Sequence, residues 1–487
     1  MDPTLTINFT RMSMRRRSTG GSQSGSDHEG SREVPTVDYV LDNSVSVEQF
    51  KRDVLALAHR LKVIRWRSVP ISEYGQLKIT RISGALTNAV YCVSPPPKYS
   101  HHARDIRISM DPLDKSRTAT IVHVPRILLR VYGPNSSQII DRASELAVLK
   151  RLSSRNIGPR IFGIFTNGRF EQFLKATTLT KEDIRTQDTS IIIAKRMREL
   201  HDGVELTFEE RMGGPGVWRN YDKWSVDAKR VLSHLDTIEG SKWNTRKVLG
   251  TSFERFQSTV QRYKDWLFED VGGPDVVNNE LVFAHNDAQY GNLLRVDPPS
   301  GSPLLRPAHE HKTLVVIDFE YASPNVRGYD IANHFCEWMS DYHDPIRPQD
   351  IHSECFPTQH QQLKFVESYV THGLENFDDI LKIDRDIHTL HHEATVWRAA
   401  VHIGWAMWGI ISAPVPEEDK EDAEGFVDEP DLEEKKDLQV EPFDYLDYAS
   451  QKAALFWGEM KTLGISVPED VDLNRAMHVN KRWSYLL

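Results

Sequence analysis

Two stretches of this chain place polar side chains directly behind apolar runs. In "ELVFAHNDAQYGNLLR", Asp287 and Asn292 stand five residues apart with Gln289 between them; in "TLVVIDFE", Asp318 follows the apolar run Leu314–Ile317. Each run reads as a buried strand, so two strand ends deliver a carboxylate apiece and one adds a carboxamide. Acceptor oxygens of this kind suit Mg²⁺, which takes few protein ligands and completes its shell with phosphate and water. Upstream, "LLRVYG" sets Arg130 among apolar strand residues, and Glu145 lies at the start of the helical segment "SELAVLKRL". An aspartate or asparagine in a loop is usually a turn or cap residue. A strand cation, a helix carboxylate, D-x-x-x-x-N and then I-D-F-E, in that order, point instead to phosphoryl transfer from a nucleotide.

The elements that must hold these residues can be read from the remaining pattern. At 487 residues the chain exceeds the size at which one core keeps growing, so two lobes are expected. Order should begin near Ser46: "SVEQ" is a capping-box pattern, and Phe50, Val54, Leu57 and Leu61 follow at helical spacing. "LKIT", "AVYCV", "RILLRVYG" and "IGPRIFGIF" read as strands, and helical patterns dominate after about Ile184, interrupted by the two strand–loop units. The expected fold class is α+β and bilobal, with a small β-rich N-terminal lobe over residues 46–177 and a larger, mainly helical lobe over 178–487.

Residues 1–45, rich in Ser, Gly and Arg and including "RRRS" ending at Ser18, read as a disordered tail. Between Glu417 and Asp437 twelve acidic residues face three lysines, which accounts for nine of the ten net negative charges. Residues 414–441 are therefore read as a disordered acidic insertion in a nearly neutral body. "HHE", His391–Glu393, lacks the H-E-x-x-H metal arrangement and reads as the surface of a helix. Cys92, Cys336 and Cys355 show no paired spacing, which suggests a reducing compartment. No apolar leader opens the chain, and the longest apolar stretch, Ala399–Ala413, falls short of the roughly 18–20 residues that span a bilayer. A soluble cytoplasmic protein is expected, with no transmembrane segment and no nucleic-acid partner.

"HNDAQYGNLL" and "VVIDFEYASPNVRGYDIANHFCEWMSDY" resemble the two signature motifs of choline kinases, within the choline/ethanolamine kinase family and its protein-kinase-like fold. The likeness runs from about Tyr74 through "SGALTNAVYCV", "LLRVYG", "GRFEQFL", "GWAMWGII" and "FDYLDYA", and leaves out both tails and the acidic insertion. It implies that Asp287 is the catalytic base toward the substrate hydroxyl and that Asn292 and Asp318 hold Mg²⁺ against ATP. It also implies that Gln289 steadies the transferring group. Arg130, oriented by Glu145, would neutralise α/β-phosphate charge; an arginine suits this because it keeps its charge when partly buried and grips two oxygens. Ser83, Gly84, Ala85, Leu86, Thr87, Asn88 and Ala89 would form the phosphate loop. With Gly84 its only glycine, that loop departs from the Gly-rich pattern of protein kinases. Gln172 in "FEQFL" would be the hinge that meets adenine. His285 and Asn286 are expected to shape the loop, and the resemblance suggests a homodimer.

The substrate side rests on choline's own chemistry. Its quaternary nitrogen has no N–H donor, so aromatic faces must recognise it, at about 2 kcal/mol or more when desolvated. Trp405 and Trp408 lie three apart on one helix face, and Tyr445 and Tyr448 repeat the spacing. Glu337 could offset the cation, with Tyr342 five residues further on. The reading is ATP-dependent phosphorylation of choline, the first step of the CDP-choline route to phosphatidylcholine. An ethanolamine or dual kinase is the alternative, although by the resemblance Gln289, Gly291 and "HFCEW" are similar to the choline branch of the family. A catalytically inactive kinase-like binder would be expected to lack Asp287, Asn292 or Asp318, and all three are present.

Overall fold

Ser46 starts the first long helix as its sequence predicts. Its Oγ accepts the N–H of Gln49 at 3.3 Å, and the helix runs Val47–Arg60. Phe50, Val54, Leu57 and Leu61 are all buried, so the 3.6-residue period becomes one apolar face. The structure, a computed structural model, describes residues 34–83, 88–100, 104–107, 118–121, 123–132, 148–149, 151–152, 157–298, 301–374, 377–414 and 443–479; at 83, 88, 104–107 and 118–121 it describes the backbone alone.

The apolar face of that helix packs on a sheet. Its strands are β1 (Thr36–Val37), β2 (Lys78–Ser83), β3 (Asn88–Ser94), β6 (Ile127–Tyr132), β7 (Ile161–Phe165) and β8 (Gly168–Gln172), in spatial order β1-β7-β8-β6-β3-β2. A separate hairpin joins β4 (Arg104–Arg107) to β5 (Thr118–Ile121). On β6 the period of two separates the faces: Ile127, Leu129 and Val131 are buried against the helix, while Leu128 and Arg130 line the opposite side.

Within residues 34–45, expected to belong to the tail, two points are fixed to the body. Thr36 pairs in parallel with Ile164, and Leu41 is fully buried. The turn residue Asn167 binds the backbone of Leu41 twice: it accepts the Leu41 N–H at 2.8 Å and donates to the Leu41 carbonyl at 2.9 Å. Order here comes from a distant side-chain amide, so no local periodicity announced it.

The expected lobe boundary at 177/178 falls within β9 (Ala176–Thr178), which pairs with β11 (Leu293–Val296); β11 in turn pairs with β12 (Leu314–Val316). β10 (Leu281–Ala284) pairs with β13 (Ser323–Val326). Around these short sheets pack the helices Gln187–Gly203, Gly216–Thr237, Phe253–Asp270, Arg327–Glu337, Gln359–Thr371, Ile380–Ser412 and Tyr445–Thr462. The stretch 399–413 closes the Ile380–Ser412 helix. It is apolar on every side because helices at 216–237, 327–337 and 445–462 surround it. The bidentate pair Arg398–Glu459, at 2.7 and 2.9 Å, ties that helix to Tyr445–Thr462.

Among the described residues no helix is long and apolar enough to cross a membrane. "HHE" is helical but not a surface: only His392 is exposed, and His391 is buried against Gln362 at 3.2 Å. Cys92, Cys336 and Cys355 are unpaired. Glu145, Gly84–Thr87 and nearly all of the acidic insertion lie outside the described residues.

Candidate active site

β10 ends at Ala284, and the next two residues are fixed by groups from other elements. Asp330, fully buried on helix Arg327–Glu337, accepts the backbone N–H groups of His285 at 2.9 Å and Asn286 at 2.7 Å. Its carboxylate also meets His201 Nε2 at 2.9 Å, and His201 Nδ1 meets the Tyr369 hydroxyl at 2.7 Å. Burial alone would raise the Asp330 carboxyl; the contact with His201 and the backbone donors hold it below the usual carboxylate range. Asn286 sits in the left-handed region at φ 63°. Its amide donates to the Tyr321 carbonyl and Ser323 Oγ, both at 2.9 Å, and accepts from Asn325 at 2.8 Å. Fully bonded in this way, an asparagine tolerates the conformation. His285 Nε2 lies 3.0 Å from the Ile317 carbonyl, which joins this loop to the one carrying Asp318. His285 and Asn286 therefore shape the loop, as expected.

Asp287 follows. Asn292 Nδ2 donates to its Oδ2 at 2.8 Å and to its carbonyl at 2.9 Å, so the five-residue spacing closes a tight turn. Burial pushes the Asp287 carboxyl well above the ordinary range, and the negative charges of Glu337, Glu320 and Asp318 add to the effect. Asp318, at φ 65°, stands 3.6 Å from Arg130 Nη1. Its Oδ1 is buried and accepts no hydrogen bond within the described structure. A buried carboxylate oxygen without a hydrogen bond, in a cleft also lined by Asp287, Glu320 and Asn292, is a donor set that fits a hard divalent cation.

Arg130 Nε lies 4.0 Å from Glu171, which also pairs with Arg169. Burial would raise Glu171, but Arg169 and Arg130 hold it low. A cleft of about 1310 Å³ is lined by Arg130, Gln172, Asp287, Gln289, Asn292 and Asp318, among others. Gln289 also caps the following turn, its Oε1 accepting the Gly291 N–H at 3.1 Å. Ser83 and Asn88 end the strands that flank the loop, and Ala89 follows on β3.

The six aromatic and acidic candidates converge. Tyr342 donates to Glu337 at 2.7 Å, and Tyr342 itself lines the cleft. Trp405 and Trp408 meet edge-on at 5.5 Å between ring centres; Trp408 then contacts Tyr445 at 5.6 Å and Tyr448 at 6.0 Å. Tyr321 completes the set: it meets Trp405 at 5.3 Å and accepts the Trp408 N–H at 2.9 Å. Burial raises the Tyr448 hydroxyl, and so do the charges of Glu337 and Asp287, so the box and the Asp287 loop share one electrostatic environment. Sequence reasoning missed Tyr321 and Glu320, although both lie inside the "IDFEYAS" motif. It also missed Asp330 and His201, whose role depends on a contact 129 residues apart.

The Choline/ethanolamine kinase family model matches residues 79–457, and the Choline kinase N terminus model matches residues 25–72. A choline kinase of Saccharomyces cerevisiae is 33% identical, over 90% of this chain and 80% of that protein. An ethanolamine kinase of the same yeast is 30% identical, over 91% of this chain and 82% of that protein. The crystal structure of a choline kinase from Cryptosporidium parvum matches with a TM-score of 0.58 at 22% identity, covering 84% of this chain and 95% of that one. That likeness is one of fold, and it agrees with the bilobal, protein-kinase-like α+β architecture described above. With a family model matched over most of its length and relatives at 30% identity and above, the chain belongs to the choline/ethanolamine kinase family.

Proposed function

We propose that this chain transfers the γ-phosphoryl group of ATP to the hydroxyl of choline, the first step of the CDP-choline route to phosphatidylcholine. One observation carries the reading: a box of Tyr321, Trp405, Trp408, Tyr445 and Tyr448, with the Tyr342–Glu337 pair beside it, is tied to the Asp287 loop where the Tyr321 carbonyl accepts from Asn286 at 2.9 Å. A methylated ammonium packs against aromatic faces with a carboxylate nearby to balance its charge.

Asp287 accepts the proton of the choline hydroxyl as that oxygen bonds to the γ-phosphorus, and the bond to the β-phosphate oxygen breaks. A carboxyl raised by burial is a stronger base than one in water, which suits this role. Arg130, facing Asp318 across the cleft, offsets phosphate charge. Gln289, at the cleft wall, steadies the transferring group, and Gln172, where β8 ends, meets the adenine. Asn292 and Asp318 would hold Mg²⁺, which supplies positive charge at the ATP phosphates. Asn292 spends its amide nitrogen on Asp287, and this leaves its oxygen as the ligand. Unpaired cysteines support a cytoplasmic setting. The assembly we infer is a homodimer, to be checked by sedimentation.

The yeast ethanolamine kinase relative keeps a second substrate in view, because a primary ammonium also fits an aromatic, acidic pocket. Transfer from ATP to choline and to ethanolamine, measured side by side with Mg²⁺, decides between them. Higher kcat/KM on choline is the expected result, and equal or greater kcat/KM on ethanolamine overturns it.

A further inference from the structure

We propose that Glu199, His311 and His372 form a binding site for a divalent transition-metal ion of the zinc class. None of the three lines the cleft. They come from three separate elements: Glu199 from helix Gln187–Gly203, His311 from the short helical segment Pro307–Thr313 ahead of β12, and His372 from the end of helix Gln359–Thr371. Both imidazoles turn their Nε2 toward the same oxygen. Glu199 Oε1 lies 2.9 Å from His311 Nε2 and 3.5 Å from His372 Nε2, and the ligand atoms all fall within 4.8 Å of one another. Tetrahedral zinc with bonds of about 2.0–2.1 Å separates neighbouring ligand atoms by roughly 3.3–3.4 Å, so two of the three spacings are already close. The rings stand 4.8 Å apart at 71°, edge against face.

The other carboxylate oxygen, Oε2, is taken by Arg196, so Glu199 offers Oε1 alone. Two imidazole nitrogens and one carboxylate oxygen, with a fourth position for water, are a donor set that selects zinc-like ions over Mg²⁺. The Arg196 guanidinium repels a second cation, so affinity should be lower than in closed four-ligand sites. Bound there, the ion would clamp the segment leading into β12, and hence toward Asp318, onto two helices. It would act on stability and stay out of the chemistry.

The test uses the full chain, stripped by chelator and held in excess Mg²⁺ so that the oxygen ligands of the cleft are occupied. Titration with Co²⁺ should give the visible band of a tetrahedral site, and Zn²⁺ should displace it and raise Tm. His311→Gln keeps a hydrogen bond to Glu199, and His372→Gln changes a partly exposed side chain; both should therefore fold. Each should weaken Zn²⁺ binding by at least about tenfold and remove the Zn²⁺-dependent rise in Tm, with kcat unchanged. Absence of a tetrahedral Co²⁺ band, or a band that survives in both variants, overturns the site and leaves a hydrogen-bonded cluster only.

Discussion

Asp330 accepts the backbone N–H of Asn286 at 2.7 Å, and so holds Asn286 at φ 63° one residue before Asp287. The position of Asp287 is thus set by a carboxylate on another element, fully buried and in contact with His201.

Asp330→Asn should therefore loosen the loop and the fold together. The amide opposes an N–H to a backbone N–H, and a buried donor left without its acceptor costs about 1–3 kcal/mol. kcat should fall with stability. The Asp330 carboxyl is held below its ordinary value, so its contribution is complete above the unfolded carboxyl pKa and is lost as pH falls through the lower folded value. Urea unfolding of both proteins should show a constant gap above about pH 5 that shrinks below about pH 4. A gap that shrinks near neutrality would contradict this account.

Asp287→Asn should remove turnover and leave the nucleotide bound. Loss of a general base costs about a hundredfold to ten-thousandfold in kcat. Steady-state rates with a parallel nucleotide titration check it, and a rate near wild type removes Asp287 from the base role.

Trp405→Ala should raise KM for choline and spare KM for ATP. A desolvated cation–π contact of about 2 kcal/mol corresponds to roughly thirtyfold. A change confined to the ATP value would discredit the box.

Burial raises the Glu337 carboxyl, against the opposing effects of Lys452 and the Tyr342 hydrogen bond. Its charge is therefore lost, on acidification, at a higher pH than for an ordinary glutamate. Choline affinity should weaken through that range. The dissociation constant measured across pH on Asp287→Asn isolates the effect from turnover, and adding Glu337→Gln should flatten the profile. An acid limb unchanged by Glu337→Gln assigns it to another group.

The parts of the site legible in the sequence are those built from local spacing. Asp287 and Asn292 share a turn, Trp405 and Trp408 share a helix face, and Phe50 to Leu61 share an apolar stripe. Each relation is fixed by helix or turn geometry within a few residues. Asp330 reads in sequence as one polar position on an amphipathic helix. Only the fold brings it to residues 44 and 45 positions away. The packing of Leu41 was hidden for the same reason, since its partner Asn167 lies 126 residues downstream. Tyr321 lay within a quoted motif, but no spacing rule links it to Trp405 on a different element.

The contact between His285 and the Ile317 carbonyl has a kinematic consequence. The ring rivets together the two backbones that carry Asp287 and Asp318, so these carboxylates travel as a single rigid part. If the β-rich lobe rocks to admit or discharge nucleotide, the span that opens is Arg130 to Asp318, now 3.6 Å. The gauge between Asp287 and Asp318 is kept through each such motion, and the Arg130 guanidinium has to be re-seated.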